Sequence, residues 1–406
     1  MTETTLHVAY VIESPYPSFV VREILALRRA GLRVTLLNSF RAFAEQGADA
    51  EALRRESYYL APRFFGALVD LLAVLTRHPF RFVQAAAAVL RHRLPLRLLP
   101  LAAGYARIAG RLGIVHIHGV YATTPASVAL LSARLAGLPY SFTAHAYDIY
   151  VPNPTFAWKL QQARFMTTIS RFNRDLILSR WPSADPRKIA VAYLGVEAPP
   201  EPREARRALS EPRLLCVGSL EPRKGHTVLL DACAELLRSG RPVGLTLVGD
   251  GPLRASLEAQ SRRLGLEGNV RFAGAKPHEE IGGQLAEADV FVLACVIAGL
   301  DQDGIPVALM EAMGAGVPVV STRISGIPEL VEDGVSGLVV EPGDRSGLAA
   351  AIGRVLDDAE LRDRLSRQGR RRVLAAFDLD RNAREMRALF TGAETLTGLT
   401  RFAPRG

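Results

Sequence analysis

Asp303-Gly304-Ile305-Pro306-Val307-Ala308-Leu309-Met310-Glu311, running on to Gly314-Ala315-Gly316-Val317-Pro318-Val319-Val320, is the stretch whose reading decides the rest of this 406-residue chain. It sets two carboxylates eight residues apart around a Gly-Ile-Pro turn. On an unbroken helix that spacing leaves Asp303 and Glu311 about 80° apart, so both would face roughly one side. Gly and Pro favour a helix start over 304–307, with free backbone amides beside the first acid. A loop acid, open amides and a deeper acid suit a polyhydroxylated, anionic ligand. Helix starts favour carboxylates in any case, so spacing alone leaves a plain acidic helix start equally open.

Upstream of this stretch the pattern alternates strand and helix. From Arg213 the spacing predicts strands at Leu214–Val217, Gly244–Val248, Val270–Ala273 and Val290–Ala294, then Val317–Ser321 and Gly337–Val340. Helices are expected at Thr227–Ser239 and Leu253–Leu264, with charged helices over 347–376. The first half reads the same way. Strands are expected at Leu6–Ile12, Leu32–Asn38, Ile114–His118, Tyr140–Thr143, Met166–Ile169 and Ile189–Tyr193, with a helix at Ser18–Ala30. Such βαβ units make parallel sheets. Pro199-Pro200-Glu201-Pro202 cannot continue a helix or a central strand and reads as a linker. The expectation is therefore an α/β protein of two doubly wound, Rossmann-like domains, 1–198 and 206–376. Residues 61–113 form a helical insertion in the first, and a last helix at about 377–395 packs back on it.

Composition narrows the class. With 49% apolar residues and a mean hydropathy of +0.12 the chain can fill two cores. Cysteines 216, 233 and 295 are odd in number and widely spaced, which argues against a disulfide framework or structural zinc and suits a reducing compartment. No uninterrupted apolar run reaches about 18 residues, and the N-terminus has no basic lead-in to its short apolar run, so neither a membrane span nor a secretory signal is expected. A cytoplasmic protein adhering to the inner leaflet is the reading.

The net charge of +9 is uneven. Residues 1–200 hold 23 basic and 12 acidic side chains, hence +11, and the remainder holds 27 and 29, hence −2. Eight arginines (63, 77, 81, 91, 93, 97, 107 and 111) fall within 61–113 against the single Asp70, interleaved with apolar runs. Basic residues beside apolar faces are the mark of a membrane-surface element, although ordinary arginine-rich helices look alike. No nucleic-acid-binding motif accompanies the charge, so nucleic acid is not an expected partner.

The opening stretch, taken with the pieces around it, resembles a known family. Acid-Gly-x-Pro-(x)4-Glu followed by Ala-x-Gly-x-Pro-Val-Val looks like the signature of the family 4 retaining glycosyltransferases, which have the GT-B fold. In order come Val217-Gly218-Ser219-Leu220-Glu221-Pro222-Arg223-Lys224-Gly225, Leu247-Val248-Gly249-Asp250-Gly251-Pro252, Ser325-Gly326-Ile327-Pro328-Glu329-Leu330 and Gly334-Val335-Ser336-Gly337-Leu338-Val339. The phrase Ile305 to Glu311 is closest in look to bacterial exopolysaccharide enzymes of the colanic-acid type. The first half matches more loosely, through Val115-His116-Ile117-His118 and Thr143-Ala144-His145-Ala146-Tyr147-Asp148.

The resemblance implies two domains facing a central cleft and a donor that is a UDP- or GDP-sugar. Arg223 and Lys224 would hold its diphosphate, Glu311 its ribose hydroxyls and Asp303 its sugar hydroxyls, where the family usually has Glu, with the adjacent Asp301 a rival for that role. Gly304, Ile305, Pro306 and Val307 would lend backbone contacts, and Gly218, Gly249 and Lys276 would line the nucleotide. His145 would reach the sugar near the anomeric carbon. Ser14, Tyr16, His118, Tyr147 and Asp148 are candidates on the acceptor side, the acceptor being a lipid-linked saccharide or growing polysaccharide. No Asp-x-Asp is given a metal role, so turnover without a metal or other cofactor is expected. A GT-B epimerase and a degenerate nucleotide-sugar-binding scaffold are the alternatives, separated by whether the product is an epimer, free nucleotide diphosphate, or nothing. A Rossmann dehydrogenase is disfavoured because no G-x-G-x-x-G follows the first strand.

Overall fold

A computed structural model of the chain describes residues 6–13, 15–39, 47–60, 64–202 and 212–392. The chain divides into two compact units. Residues up to Leu194, with the helix Leu379–Thr391, form the first, and Gly195–Asp378 the second. Ser14, Arg63 and residues 393–395 of the expected last helix lie outside the described residues.

The first unit is built on six parallel strands: β1 (His7–Ile12), β2 (Arg33–Asn38), β3 (His116–Val120), β4 (Tyr140–Ala144), β5 (Phe165–Thr168) and β6 (Ile189–Val191). They lie in the order β2-β1-β3-β4-β5-β6. Alternate residues of each strand feed opposite faces, as a two-residue period requires. Ala9, Val11, Ile117, Phe142 and Met166 join one core with the helices Leu98–Leu112 and Thr124–Ala136. Val8, Tyr10, Ile12, Leu36 and Phe165 join the other with Ser18–Arg29 and Leu379–Thr391.

Between β2 and β3 stand a short helix, Ala48–Glu56, and then three more, Phe64–Arg77, Pro79–Arg91 and Leu98–Leu112. Phe64–Arg77 and Pro79–Arg91 turn apolar stripes outward. Phe65, Leu68, Val69, Leu72 and Leu75 recur at helical spacing on one, and Phe80, Val83 and Leu90 on the other, all exposed. Phe65 and Phe80 are 81% and 84% exposed. Arg77, Arg81, Arg91 and Arg93 are exposed along the same helices. Among the described residues no helix is long and apolar enough to cross a membrane.

The second unit has six parallel strands too: β7 (Arg213–Val217), β8 (Gly244–Val248), β9 (Val270–Gly274), β10 (Val290–Leu293), β11 (Val319–Thr322) and β12 (Leu338–Val340). Their order is β12-β11-β10-β7-β8-β9. All twelve strands fall where the sequence pattern expects them, with ends moved by a residue or two. The Pro-rich stretch 199–202 is not where the units part. Arg370 donates to the carbonyls of Pro199 and Pro200 at 2.7 and 3.0 Å and ties the stretch to the helix Ala359–Ala376 of the second unit. Within the second unit the Val196 amide donates to the Phe377 carbonyl at 2.9 Å.

Candidate functional site

In an open doubly wound sheet, ligands bind beyond the carboxyl ends of the strands where the strand order reverses. In the second unit that point lies between β7 and β10. Two loops meet there. The one leaving β7 makes a short 3-10 turn over Pro222–Lys224, and the one leaving β10 runs through Cys295 to Pro306.

Gly225 allows the first loop to seat. Its φ is +66°, and a Cβ there would stand 1.7 Å from the Ala294 carbonyl oxygen. The Val296 amide donates to the Arg223 carbonyl at 2.9 Å and ties the two loops together. The loop after β8 approaches as closely. At Gly249, φ +144°, a Cβ would lie 1.9 Å from the Gly218 carbonyl oxygen, so the Gly-Asp-Gly-Pro turn rests on the end of β7.

The loops bring Arg223 and Lys224 onto Asp301 and Asp303. Lys224 Nζ is 3.0 Å from Asp303 Oδ2, Arg223 Nη1 donates to Asp301 Oδ2 at 2.7 Å, and Arg223 Nε is 3.4 Å from Asp303 Oδ1. Glu221 pairs with Arg223 as well. The side chains of Lys224 and Asp303 are only 14% and 13% exposed. Burial works against the charge on Lys224, but Asp303 close by more than offsets it and holds the ammonium pKa above the usual lysine value. Burial, then Asp303, push the Cys295 thiol well up, so it stays neutral and donates to Asp303 Oδ2 at 3.1 Å. Two cations face three carboxylates here, in a crevice whose cations can exchange partners for an incoming anion.

Asp303 and Glu311 do not share one helical face. The helix Val307–Gly314 begins only at Val307, because Pro306 stands at its N-cap position and the residue before a proline is biased away from helix. Asp303 lies in the preceding loop, held by Lys224, Arg223 and Cys295. Glu311 stands on the half-buried face of the helix with Val307 and Ala308, while Leu309, Met310, Ala312 and Met313 face the core. Its carboxylate is 3.7 Å from His278 Nδ1, in the segment after β9. Lys276, in that segment too, pairs with Glu280 at 2.5 Å. Gly304, Ile305 and Pro306 are buried, and the amides of Val307 and Ala308 open the helix, where no intrahelical acceptor reaches them. Asp301-Gln302-Asp303 is itself an Asp-x-Asp, read from the sequence only as two rivals for one sugar contact. Both carboxylates face the guanidinium and ammonium groups. Among the described residues no group of three His, Cys, Asp or Glu side chains could hold a metal ion.

The first unit presents a different surface. His145, just past the end of β4, packs between Phe19 and Tyr121, with ring centroids at 5.1 and 4.7 Å. Both its ring nitrogens are buried and lack a hydrogen-bond partner. Burial lowers its pKa to about 3, so the ring is neutral. Asp148 is fully buried and accepts from the Ala122 and His145 amides at 2.6 and 2.9 Å. Asn173 donates to the His145 carbonyl, and buried Lys159 donates to the Ala122 and Thr123 carbonyls. These groups fix the loops that leave β3 and β4. Tyr121 between them adopts the left-handed region at φ +74°, a strained backbone for a bulky residue.

Several acceptor-side candidates are interior groups instead. His118 is wholly buried within β3, its ring nitrogens bonded to Ser141 Oγ at 2.8 Å and Thr143 Oγ1 at 2.9 Å, and it packs on Phe390. A central strand feeds its side chains into the two cores, which is why a strand histidine ends there. Tyr16 is buried and donates to Asn38 Oδ1 at 2.8 Å. Asp148 serves backbone amides, as above. Tyr147, 62% exposed, stays open to solvent. The residues that sequence reasoning missed are Cys295, Glu221, Tyr121, Phe19, Asn173 and Lys159. Only Lys159 carried a signal, as one of just four lysines in the chain, Lys224 being another.

The comparisons bear on this geometry. A family model described as glycosyl transferases group 1 matches residues 199–372. Amylovoran biosynthesis glycosyltransferase AmsK of Erwinia amylovora is 40% identical over 196 residues, 48% of this chain and 48% of that one, so the chain spans about half the length of this relative. The GDP-mannose-dependent alpha-(1-6)-phosphatidylinositol monomannoside mannosyltransferase of Mycolicibacterium smegmatis is 33% identical over 292 residues, 66% of this chain and 75% of that enzyme. Anabaena Alr3699/HepE, solved in complex with UDP and glucose, superposes with a TM-score of 0.70 at 20% identity, covering 95% of this chain and 100% of that one, which shows a shared fold. Two six-stranded parallel sheets of the GT-B type, with relatives that match through three quarters of their length, establish that the chain belongs to the glycosyl transferases group 1 family.

Proposed function

We propose that the chain is a retaining glycosyltransferase that moves a hexose from a UDP- or GDP-sugar to a lipid-linked saccharide or growing polysaccharide. The observation that carries this reading is the Arg223–Lys224 pair seated at the switch point of the second sheet and ion-paired with Asp303 in the loop that leads to the helix Val307–Gly314. Two preorganised cations suit the charge that builds on a leaving diphosphate. In this reading the bond from the anomeric carbon to the diphosphate oxygen breaks as the acceptor oxygen bonds to the same face. The acceptor's proton passes to the departing phosphate, and no protein base is needed. Glu311 takes the ribose hydroxyls, and His145 is the residue read as meeting the sugar near the anomeric carbon. UDP and GDP donors are both supported: the Mycolicibacterium smegmatis relative is named as GDP-mannose-dependent, and HepE was solved with UDP and glucose. AmsK favours an exopolysaccharide product.

The test is a thermal-shift screen of the full chain against UDP-, GDP-, ADP- and dTDP-sugars, with and without EDTA. Ligand that binds the folded state raises the melting temperature by mass action. A shift with one nucleotide class that survives EDTA, followed by release of that nucleotide diphosphate on adding acceptor, is the expected result. Absence of any shift would sink the reading.

The outward apolar stripes of Phe64–Arg77 and Pro79–Arg91, flanked by arginines, support a peripheral site on an anionic lipid surface, where a lipid-linked acceptor resides. Co-sedimentation with phosphatidylglycerol vesicles should fall sharply in the Phe80→Glu, Val83→Glu variant. Unchanged co-sedimentation would remove the membrane from the reading.

A further inference from the structure

The chain has only two tryptophans, and both line one cavity of about 790 Å3 in the first unit, away from the carboxyl ends of its sheet. Trp158 and Gln161 lie on the helix Phe156–Gln162 that leads into β5, and Trp181 and Lys188 lie in the chain that leads into β6. Arg134 ends the helix that leads into β4, and Arg91 ends the helix Pro79–Arg91. The cavity thus sits at the amino ends of β4, β5 and β6. His145 stands at the opposite end of the same sheet, past the carboxyl end of β4.

Its walls combine two chemistries. Each indole is backed on one face by another ring. His92 stacks on Trp158 at 4.1 Å and 20°, and Phe156 stacks on Trp181 at 4.0 Å and 13°. These are rigid, flat apolar surfaces with little freedom left to lose on binding. Around them stand Arg134 and Arg91, neither with an acid to answer it. Arg134 donates to Gln162 Oε1 at 2.6 Å and to the Gln84 carbonyl at 3.4 Å, but no ion pair among the described residues involves Arg134 or Arg91. Asp185, the one carboxylate lining the cavity, is taken by Arg187 at 3.1 Å. Burial lowers the pKa of Arg134, as expected of a partly desolvated cation without a counterion. A guanidinium placed this way is suited to a carboxylate, which it can take through two parallel bonds.

We propose that this cavity is a second saccharide-binding site, which holds a carboxylate-bearing sugar of an acidic glycan, the ring against the indoles and the carboxylate on Arg134 and Arg91. The choice of a glycan rests on the glycosyl-transfer reading, whereas the choice of an acidic, ring-bearing ligand rests on the cavity itself. A site at the far end of the sheet from the transfer chemistry can retain a growing chain without competing with the donor.

The two tryptophans report on the cavity directly. The full chain is titrated at low salt with an oligoglucuronate tetrasaccharide while intrinsic tryptophan fluorescence is followed. Neutral maltotetraose and inorganic phosphate run in parallel. A saturable change with the acidic tetrasaccharide alone, weakened at least tenfold in Arg134→Gln and in the exposed Arg91→Gln, is expected. No saturable change with the acidic sugar overturns the site. An equal response to phosphate reduces it to a simple anion site, and an unaltered response in Arg91→Gln places the ligand elsewhere; either result also overturns it. The nucleotide-sugar thermal shift, measured on the same samples, keeps failure of this site distinct from failure of the transferase reading.

Discussion

The two sheets follow the same rule and serve different chemistry. Read from β9, the second runs β9-β8-β7-β10-β11-β12, with two strands before the first one in sequence and three after it. The first runs β2-β1-β3-β4-β5-β6, with one strand before and four after. Where the second unit sets one main helix between successive early strands, the first inserts the helices of 64–112 between β2 and β3, and two of them carry the outward apolar face. At the strand ends the contrast is sharper. The second unit gathers two cations and three carboxylates, all hydrogen-bonded or ion-paired. The first buries a neutral imidazole with both nitrogens unpaired, framed by Phe19 and a left-handed Tyr121. The second unit offers charge to a ligand, and the first a buried, neutral imidazole.

That division can be broken most directly by substitution. Lys224→Ala should cut transfer by about 10²–10³, the usual loss for one preorganised donor, and weaken nucleotide diphosphate binding with it. His145→Ala should cut turnover while leaving the thermal shift caused by the nucleotide diphosphate unchanged. If His145→Ala abolished nucleotide binding as fully as Lys224→Ala, the two sites would not be separable. Circular dichroism on each variant guards against loss of fold.

Acid should separate the units next. Burial lowers His116 and His145 to about 3 and His118 well below its ordinary value, all in the first unit, against His226 at about 4 in the second. A histidine whose folded pKa lies below its unfolded value near 6.5 binds fewer protons when folded, so it opposes folding only as the pH drops. Stability is therefore complete above about pH 6.5 and is lost as the pH falls toward 3. At pH 5 the loss is on the order of 2 kcal/mol per histidine. Hydrogen exchange at pH 5 should accordingly open β3 and β4 before β7 and β10. Equal loss of protection in both units would contradict the contrast.

The smallest expected effect refines the charged side. Asp301 competes with any incoming phosphate for Arg223, so Asp301→Asn should tighten nucleotide diphosphate binding a few-fold, read by titration calorimetry. Weaker binding would mean that Asp301 positions Arg223 rather than competing for it.

Much of this was legible in the chain. Short apolar runs located every strand, because a strand buried on both faces is apolar along its length. Arg223, Lys224 and Glu311 stood out because their motif pieces recur in fixed order. The helical arithmetic that placed Asp303 beside Glu311 failed because it treated a loop as helix, and the proline at 306 was the reason visible in advance. His118 and Tyr16 were misplaced for another reason. A polar side chain near a strand end reads the same whether it meets solvent or, as here, Ser141, Thr143 and Asn38.

The sequence by itself determined the two α/β blocks, their strands and the residue types of the phosphate-side cluster, since these depend on local periodicity and on motifs with short spacing. Only the tertiary structure decided which carboxylates meet Arg223 and Lys224, which histidine is buried without a partner, and that both tryptophans share a cavity with Arg91 and Arg134. Those pairings join residues up to about 90 positions apart, and which loops meet follows from the order in which parallel strands are laid down, which no local pattern records.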